Sequence, residues 1–491
     1  MKHLHLICTL LFGVAVFLFF GLAYPHHLHY QEQYQLFLFD STYVWEIVSL
    51  PGGVADLLGR FCTQFFLFAW VGAFIIALLL SAVQLLTLRL TNGQCSMLNV
   101  PLLYGLTFVP SFLLWLFMLD ENALLGGVWA VLLTLLVVFI ITEHKDTKTQ
   151  SGCAKCEDTK KRPRNTFVSL CLCVPLIILL YWIVGPVCFP IPVDSLWHGI
   201  HYHRYPTEFP WLLWAAALSI WVIFGTNFLI RRRQEHSSHL SPLTSYLSFA
   251  IVAVVMGVFV WKNANFKAEK VMQYDFMACH QQWNRILETV NAEKPNNQIG
   301  VTVQNLALAM HGMLLEHMSE YNQNGIAGLL PDVKEDATSP LPTAEAFYQL
   351  GMVNVAQRTV FEAQEAILDF QKSGRCYKRL AQTNLINGQY EVARKYLTAL
   401  QKTLFYRDWA NETLPLLGDE KAIASHPEYG RLRQFVYKDE FYFSDHVTPE
   451  MLESLYYKNR ENRLAYEYLI AYYMLTGDRE RYAKFIQTIK K

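Results

Sequence analysis

Two carboxylates in one short polar stretch, Glu32 and Asp40, are the residues of this chain best placed for acid–base chemistry. They lie within residues 24–60, directly after an apolar run, together with His26, His27, His29, Glu46 and Asp56. A carboxylate held against an apolar wall has a raised pKa and can take a proton from an acceptor hydroxyl. The same stretch also reads as an amphipathic segment lying on a membrane. Leu36, Phe37, Leu38 and Phe39 would then be buried and the acids would face water, which is the commoner arrangement.

A second set is Trp197-His-Gly-Ile-His-Tyr-His-Arg, which brings His198, His201 and His203 into one loop. With Glu32 or Glu208 these imidazoles could hold zinc or copper, but no ligand spacing of a known site is present. Hydrogen-bonded surface histidines are the ordinary reading, so no metal and no cofactor is expected. Cys153 and Cys156 form a CxxC without the second pair that a structural zinc needs. Near the C-terminus Tyr442, Tyr456, Tyr457, Tyr468 and Tyr472 could line a groove for a peptide or glycan, since tyrosine gives a large contact area at small entropic cost. Most of this aromatic set is expected to be interhelical core.

The elements that must position these residues follow from composition. The chain has 491 residues, 53% hydrophobic and 17% charged, too apolar for an ordinary soluble protein of its length. The excess lies almost wholly before Trp261. Lys plus Arg and Asp plus Glu are both 41, so no global field points to nucleic acid. The ten cysteines show no paired framework.

Residues 243–261 carry no charge and reach ~28 Å as a helix, close to the thickness of a bilayer core. Further apolar runs stand at residues 4–23, 61–88, 98–119, 123–142, 167–187 and 211–230, which gives about seven spans. The first ends in Gly21-Leu22-Ala23, a small-residue sequence of the cleavage type, yet its length favours an uncleaved span. Lys145, Lys148, Lys155, Lys160, Lys161, Arg162 and Arg164 fill one loop, and Arg231, Arg232 and Arg233 open another. Positive loops stay in the cytoplasm. With seven spans the N-terminus is cytoplasmic and everything after Trp261 is outside. Polar residues within the runs are few, chiefly Gln84, Asn99 and Asn227, and no mid-span charge marks an ion-coupled transporter.

From Asn263 onward helical periodicity dominates, so the fold class is all-α: a polytopic transmembrane bundle in residues 1–262, then a soluble helical domain in residues 263–491. Amphipathic helices are expected at 270–290 and 299–321, and a Gly- and Pro-rich loop at 325–342. A tetratricopeptide-like frame then recurs. Phe347, Leu350, Gly351, Asn354, Ala363 and Ile367 fit it, as do Tyr377, Leu380, Ala381, Asn384, Ala393 and Leu397. Tyr466, Leu469, Ile470, Tyr473, Tyr482 and Ile486 fit it a third time. The repeat spacing is about 30 residues where the motif has 34, so these are tetratricopeptide-like hairpins with departures from the pattern. Residues 408–457, broken by Pro415, Pro427 and Pro449, are expected to form a degenerate hairpin and a loop.

Several stretches carry a resemblance: Tyr30-Gln-Glu-Gln, Leu50-Pro-Gly-Gly, Asn305-Leu-Ala-Leu-Ala, Gly328-Leu-Leu-Pro, Gln349-Leu-Gly-Met and Arg379-Leu-Ala-Gln-Thr-Asn-Leu-Ile-Asn-Gly-Gln-Tyr. Over most of its length the chain resembles an uncharacterised family of multi-pass membrane proteins in Bacteroidota. The resemblance implies a Gram-negative inner membrane and a periplasmic helical domain, and it names no substrate.

The leading expectation for function is partner binding: the hairpins present a concave surface to a protein or peptide while the spans hold it at the bilayer. The competing class is an enzyme. Membrane glycosyltransferases that use lipid-linked sugars place a catalytic carboxylate just after the first span, where Glu32 and Asp40 stand here. That likeness is one of position and span count alone.

Overall fold

The computed structural model describes residues 2–92, 101–151, 183–185, 187–188, 209–233, 242–332, 339–367, 371–436 and 449–489. Every regular element among them is helical, as the periodicity requires. The chain divides into two compact units: Met1–Glu32 with Asp40–Asn265, and Gln33–Phe39 with Phe266–Lys491. Along the chain the division falls after Asn265. The transfer of Gln33–Phe39 to the second unit has no counterpart in the sequence reading.

In the first unit, α1 (Lys2–Leu18) runs into a π-type turn, Phe19–Ala23. Then come α2 (Pro25–Glu32), α3 (Ser41–Val48), α4 (Gly53–Thr63), α5 (Ala69–Asn92), α6 (Pro101–Leu106), α7 (Val109–Phe117) and α8 (Leu125–Ser151). Helices α9 (Trp211–Arg233) and α10 (Pro242–Asn263) complete it. By length and composition two stretches can cross a membrane, His5–Ala23 and Ala69–Thr91, and a third if Leu247–Asn263 counts together with the helix that follows it. Tyr104–Phe117, Leu125–Ile140 and Trp211–Thr226 are apolar but shorter. Most of the expected span at 167–187 lies outside the described residues.

Two expected spans are corrected. The run at 61–88 is not one helix: Phe68 is extended, with φ −110° and ψ 100°, so α4 ends before it and α5 starts at Ala69. Residues 61–63 instead finish α4, which packs closely on α8. A Cβ on Gly59 would stand 2.4 Å from the amide nitrogen of Gly126, so the two backbones touch there. The run at 98–119 breaks after Leu106, because Pro110 has no N–H to continue a helix and serves in the first turn of α7.

The second unit begins with α11 (Phe266–Cys279), α12 (Trp283–Glu293), α13 (Gln298–Met310), α14 (Leu314–His317) and α15 (Ile326–Leu329). Hairpins follow: α16 (Pro340–Leu350) with α17 (Val353–Glu365), and α18 (Gly374–Ile386) with α19 (Tyr390–Gln401). After the short helices α20 (Arg407–Thr413), α21 (Glu420–Ser425) and α22 (Tyr429–Phe435) come α23 (Pro449–Lys458), α24 (Arg463–Thr476) and α25 (Arg479–Ile489). The turns within the two hairpin pairs, and the one between α24 and α25, use Gly351, Gly388 and Gly477 at φ +90°, +78° and +70°, a region glycine enters without steric cost.

Elsewhere the expected helices are shorter. The one at 270–290 breaks at His280–Gln282, where Gln281 has φ +52°, and the one at 299–321 breaks at Gly312. Pro340 and Pro342, expected in a loop, instead open α16, since the first turn of a helix needs no proline N–H. The main core gathers Leu306, Phe347, Tyr348, Tyr468, Leu469 and Tyr473, all at most 2% exposed. Burial of this many large side chains stabilises the unit through ~25 cal/mol per Å² of apolar surface removed from water.

Candidate functional sites

Gln33–Phe39, a turn at Gln33 and Tyr34 followed by irregular chain, are built into the second unit as a strap. Leu36 N donates to the Lys372 carbonyl at 2.8 Å and Phe39 N to the Lys402 carbonyl at 2.7 Å. The Leu36 side chain packs with Ala381, Leu397, Leu400 and Ala410 from α18, α19 and α20. Gln33 accepts from Arg375 Nη1 at 3.3 Å. The chain just before α18 and just after α19 therefore holds this segment by main-chain bonds, and α18, α19 and α20 add an apolar socket, an ordinary means by which proteins grip peptide segments. The apolar residues Leu36 and Phe37 are buried here, not laid on a bilayer, because the strap's N–H groups find carbonyl partners in this unit.

Beneath the strap runs a buried set of charges. Arg375 makes two bonds to the Asp275 carboxylate, at 2.5 and 2.9 Å, and lies 3.7 Å from Glu345. Arg379 reaches both Glu345 oxygens at 2.6 Å and covers the Tyr348 ring at 3.7 Å. The Tyr348 hydroxyl in turn donates to Glu428 at 2.9 Å. Burial alone would lower the guanidinium pKa values, but Asp275 beside Arg375 and Glu345 beside Arg379 push both upward, so both stay charged. Burial likewise pushes the neighbouring Cys279 thiol up and the Cys376 thiol up to about 11, so neither is a nucleophile at neutral pH. These charges answer one another and join α11, α16, α18 and the turn before α22. Sequence reasoning missed them. The available signal was Arg375 and Arg379, four apart on the face of α18 that also carries Cys376, Leu380 and Ala381.

A cleft of about 1000 Å³ opens between the first two hairpins, lined among others by Asn354, Gln357, Phe361, Asn384, Val392 and Tyr396. Its amides are partly paired with each other: Gln357 donates to Asn384 at 3.2 Å, and Asn387 donates to Asn354 and Gln357 at 2.8 and 3.0 Å. Phe361 and Val392 remain 50% and 41% exposed. The cleft thus combines an ordered amide ladder with bare apolar surface.

The expected site residues are dispersed. Glu32 is buried at the end of α2, whereas Asp40 is the N-cap of α3, its Oδ1 accepting from Thr42 N at 2.9 Å and Tyr43 N at 3.3 Å. His27 is fully buried with Nε2 against the Met118 carbonyl at 2.9 Å, and burial pushes its pKa down to about 4. Tyr456 and Tyr468 belong to the core, and Tyr468 has no exposed surface to offer a partner. Tyr457 is exposed and Tyr472 half-buried. Tyr442, His198, His201 and His203 lie outside the described residues, as do Cys153 and Cys156. Among the described residues no group of three or more His, Cys, Asp or Glu side chains is arranged to hold a metal ion.

The described architecture defines an all-helical protein with helices long and apolar enough to cross a membrane and a separate unit of helical hairpins. The chain belongs to the Family of unknown function (DUF6057), which it matches over residues 2–491. No curated protein and no solved structure matches it.

Proposed function

We propose that this is a multi-pass inner-membrane protein whose tetratricopeptide-like hairpins, on the periplasmic side, bind an extended segment of a protein partner in the cell envelope. The observation that carries the reading is the strap: the chain at the ends of the same hairpin helices already holds one peptide segment by main-chain hydrogen bonds, and the helices give it a leucine socket. The cleft beside Phe361 and Val392 offers the same ingredients, amide groups and exposed apolar side chains, to a second one. The proposed topology keeps the N-terminus cytoplasmic, as the basic connectors favour.

The test is a photo-crosslinking residue at Phe361 of the full-length protein in cells, with Leu404 as the exposed control. A discrete adduct at Phe361 that disappears in Val392→Glu and is missing at Leu404 is the expected result. Equal labelling at both positions, or none at Phe361, overturns the reading. Labelling of Lys484→Cys from outside intact cells tests the topology separately. A glycosyltransferase acting on a lipid-linked donor is the competing reading, and the burial of Glu32 is what favours it. Unchanged surface glycan in Glu32→Gln, with the variant present in the membrane, removes it.

A further inference from the structure

A second cleft in the hairpin unit, of about 560 Å³, is built from helix ends far apart in the chain. Gln281, Met310 and Gln349 meet residues 426–435 and 461–464 there. It shares no lining residue with the cleft proposed for a partner. Three of its side chains are polar groups with unused capacity.

Gln349 is 2% exposed, and its Oε1 accepts from Arg431 Nη2 at 2.9 Å. That bond fixes the amide, because a flipped amide would set two donors against each other. Its Nε2 then has no acceptor among the described residues. A buried donor left unmet is costly, and an acceptor on a bound molecule would satisfy it.

Arg431 is half-buried, and both its bonds go to neutral oxygens of Gln349, the amide and the main-chain carbonyl at 3.3 Å. No carboxylate among the described residues is within ion-pair distance of it, and burial pushes its pKa down against the opposing pull of Tyr348 and Glu428. Glu428, which also lines the cleft, is engaged by the Tyr348 hydroxyl and lies 4.0 Å from Arg379. Glu461, exposed at the rim, likewise has no cation within ion-pair distance among the described residues. The wall is shaped for a nearby guanidinium as well. Arg463 Nη2 donates to the Ala309 and Met310 carbonyls at 3.1 and 3.3 Å, and a Cβ on Gly312 would stand 2.5 Å from its Nη1. Gln281, held at φ +52°, closes another side, and such strain in a non-glycine residue clusters at ligand sites.

We propose that this cleft binds a small zwitterion, a free amino acid or a short peptide. Its carboxylate accepts from Arg431 and from Gln349 Nε2, and its ammonium group faces Glu461. The volume is in the range of small-ligand sites. A cation and an anion in one cleft, neither in an ion pair among the described residues, fit a ligand carrying both charges better than a simple anion.

The experiment is calorimetric titration of the full-length protein in detergent micelles with glycine, L-alanine, di-L-alanine, tri-L-alanine, acetate and methylamine. Saturable binding of an amino acid or a peptide is expected, and the ranking of alanine against its peptides tells which source the site takes. Gln349→Leu, close in volume and without the donor, should weaken binding about tenfold or more. Gln349→Glu keeps the acceptor for Arg431 but sets a carboxylate against the ligand, and should abolish binding with the fold intact by circular dichroism. Glu461→Gln should weaken alanine and leave acetate unchanged. Methylamine binding as well as alanine, wild-type affinity in Gln349→Leu, or no saturable heat from any probe up to about 10 mM overturns the proposal.

Discussion

In the apolar unit most buried polar side chains are neutral and bond to their own helix or to a packed neighbour; Glu32 and Asp56, the latter paired with Arg60 at 2.8 Å, lie in α2 and α4, outside the stretches long enough to cross a membrane. Thr9 donates to Gln84 at 2.7 Å, Gln84 to Thr107 at 3.4 Å, and Ser111 to the Leu80 carbonyl at 2.8 Å. In the hairpin unit the buried polar groups include Asp275, Glu345, Arg375 and Arg379, paired across helices that are distant in sequence. The difference follows from the surroundings. A hydroxyl or amide can be satisfied by the backbone of its own helix at little desolvation cost, whereas an ion needs a counter-ion brought to it. Neutral polar groups therefore fit helices that cross lipid, and ion pairs fit a unit that must select one packing of many similar helices.

The largest test of this contrast is alkali. Burial pushes the Tyr274 phenol up to about 12 and raises the Tyr348 and Tyr468 phenols too, while an unfolded tyrosine titrates near ~10. The folded unit holds these protons longer than the unfolded chain. Its stability is thus full below pH ~10 and falls as pH rises through the window above it. Absorbance of phenolate at 295 nm should lag until helicity is lost, and then rise together with that loss. Free titration near pH 10 with helicity intact would break the contrast.

Next in size is Arg375→Ala, which strands Asp275 in a dry site and should cost ~3–5 kcal/mol. Arg375→Met combined with Asp275→Leu should recover most of it, measured by denaturant unfolding of the full chain in micelles. Leu36→Ala should cost about 2 kcal/mol, the low end for a buried leucine, because an irregular segment can settle into part of the space left. A loss as large as that from Arg375→Ala would mean that the strap, not the ions, organises the unit. The smallest change is expected from Gln84→Leu, about 0.5 kcal/mol. Thr9 keeps the His5 carbonyl at 2.9 Å and Thr107 the Tyr104 carbonyl at 2.7 Å.

Local chemistry was the legible part. Asn387-Gly388 and Thr476-Gly477 mark turns because a left-handed residue is needed there, and each stands between two helices. Breaks enforced from outside the local sequence were not legible. Gln281 is an ordinary helix former, and nothing near it announces a positive φ; Phe68 stands in an uninterrupted apolar run. The clefts were hidden for the same reason, since their walls come from separate parts of the chain. Tyr468 and Tyr456 were suggested as groove residues because aromatic content marks contact area without telling inside from outside. Asp40 looked like a candidate base, yet an Asp just ahead of a helix is equally a capping residue, and that is its place here.

The strap also sets an order of events. Gln33–Phe39 leaves the ribosome long before Leu397, Leu400 and Ala410, so it must wait until its receptor helices have been made. A fragment beginning at Phe266 would never receive it. Those three side chains would then be left to water or to a neighbouring copy, and the excised piece should be stickier than the whole protein.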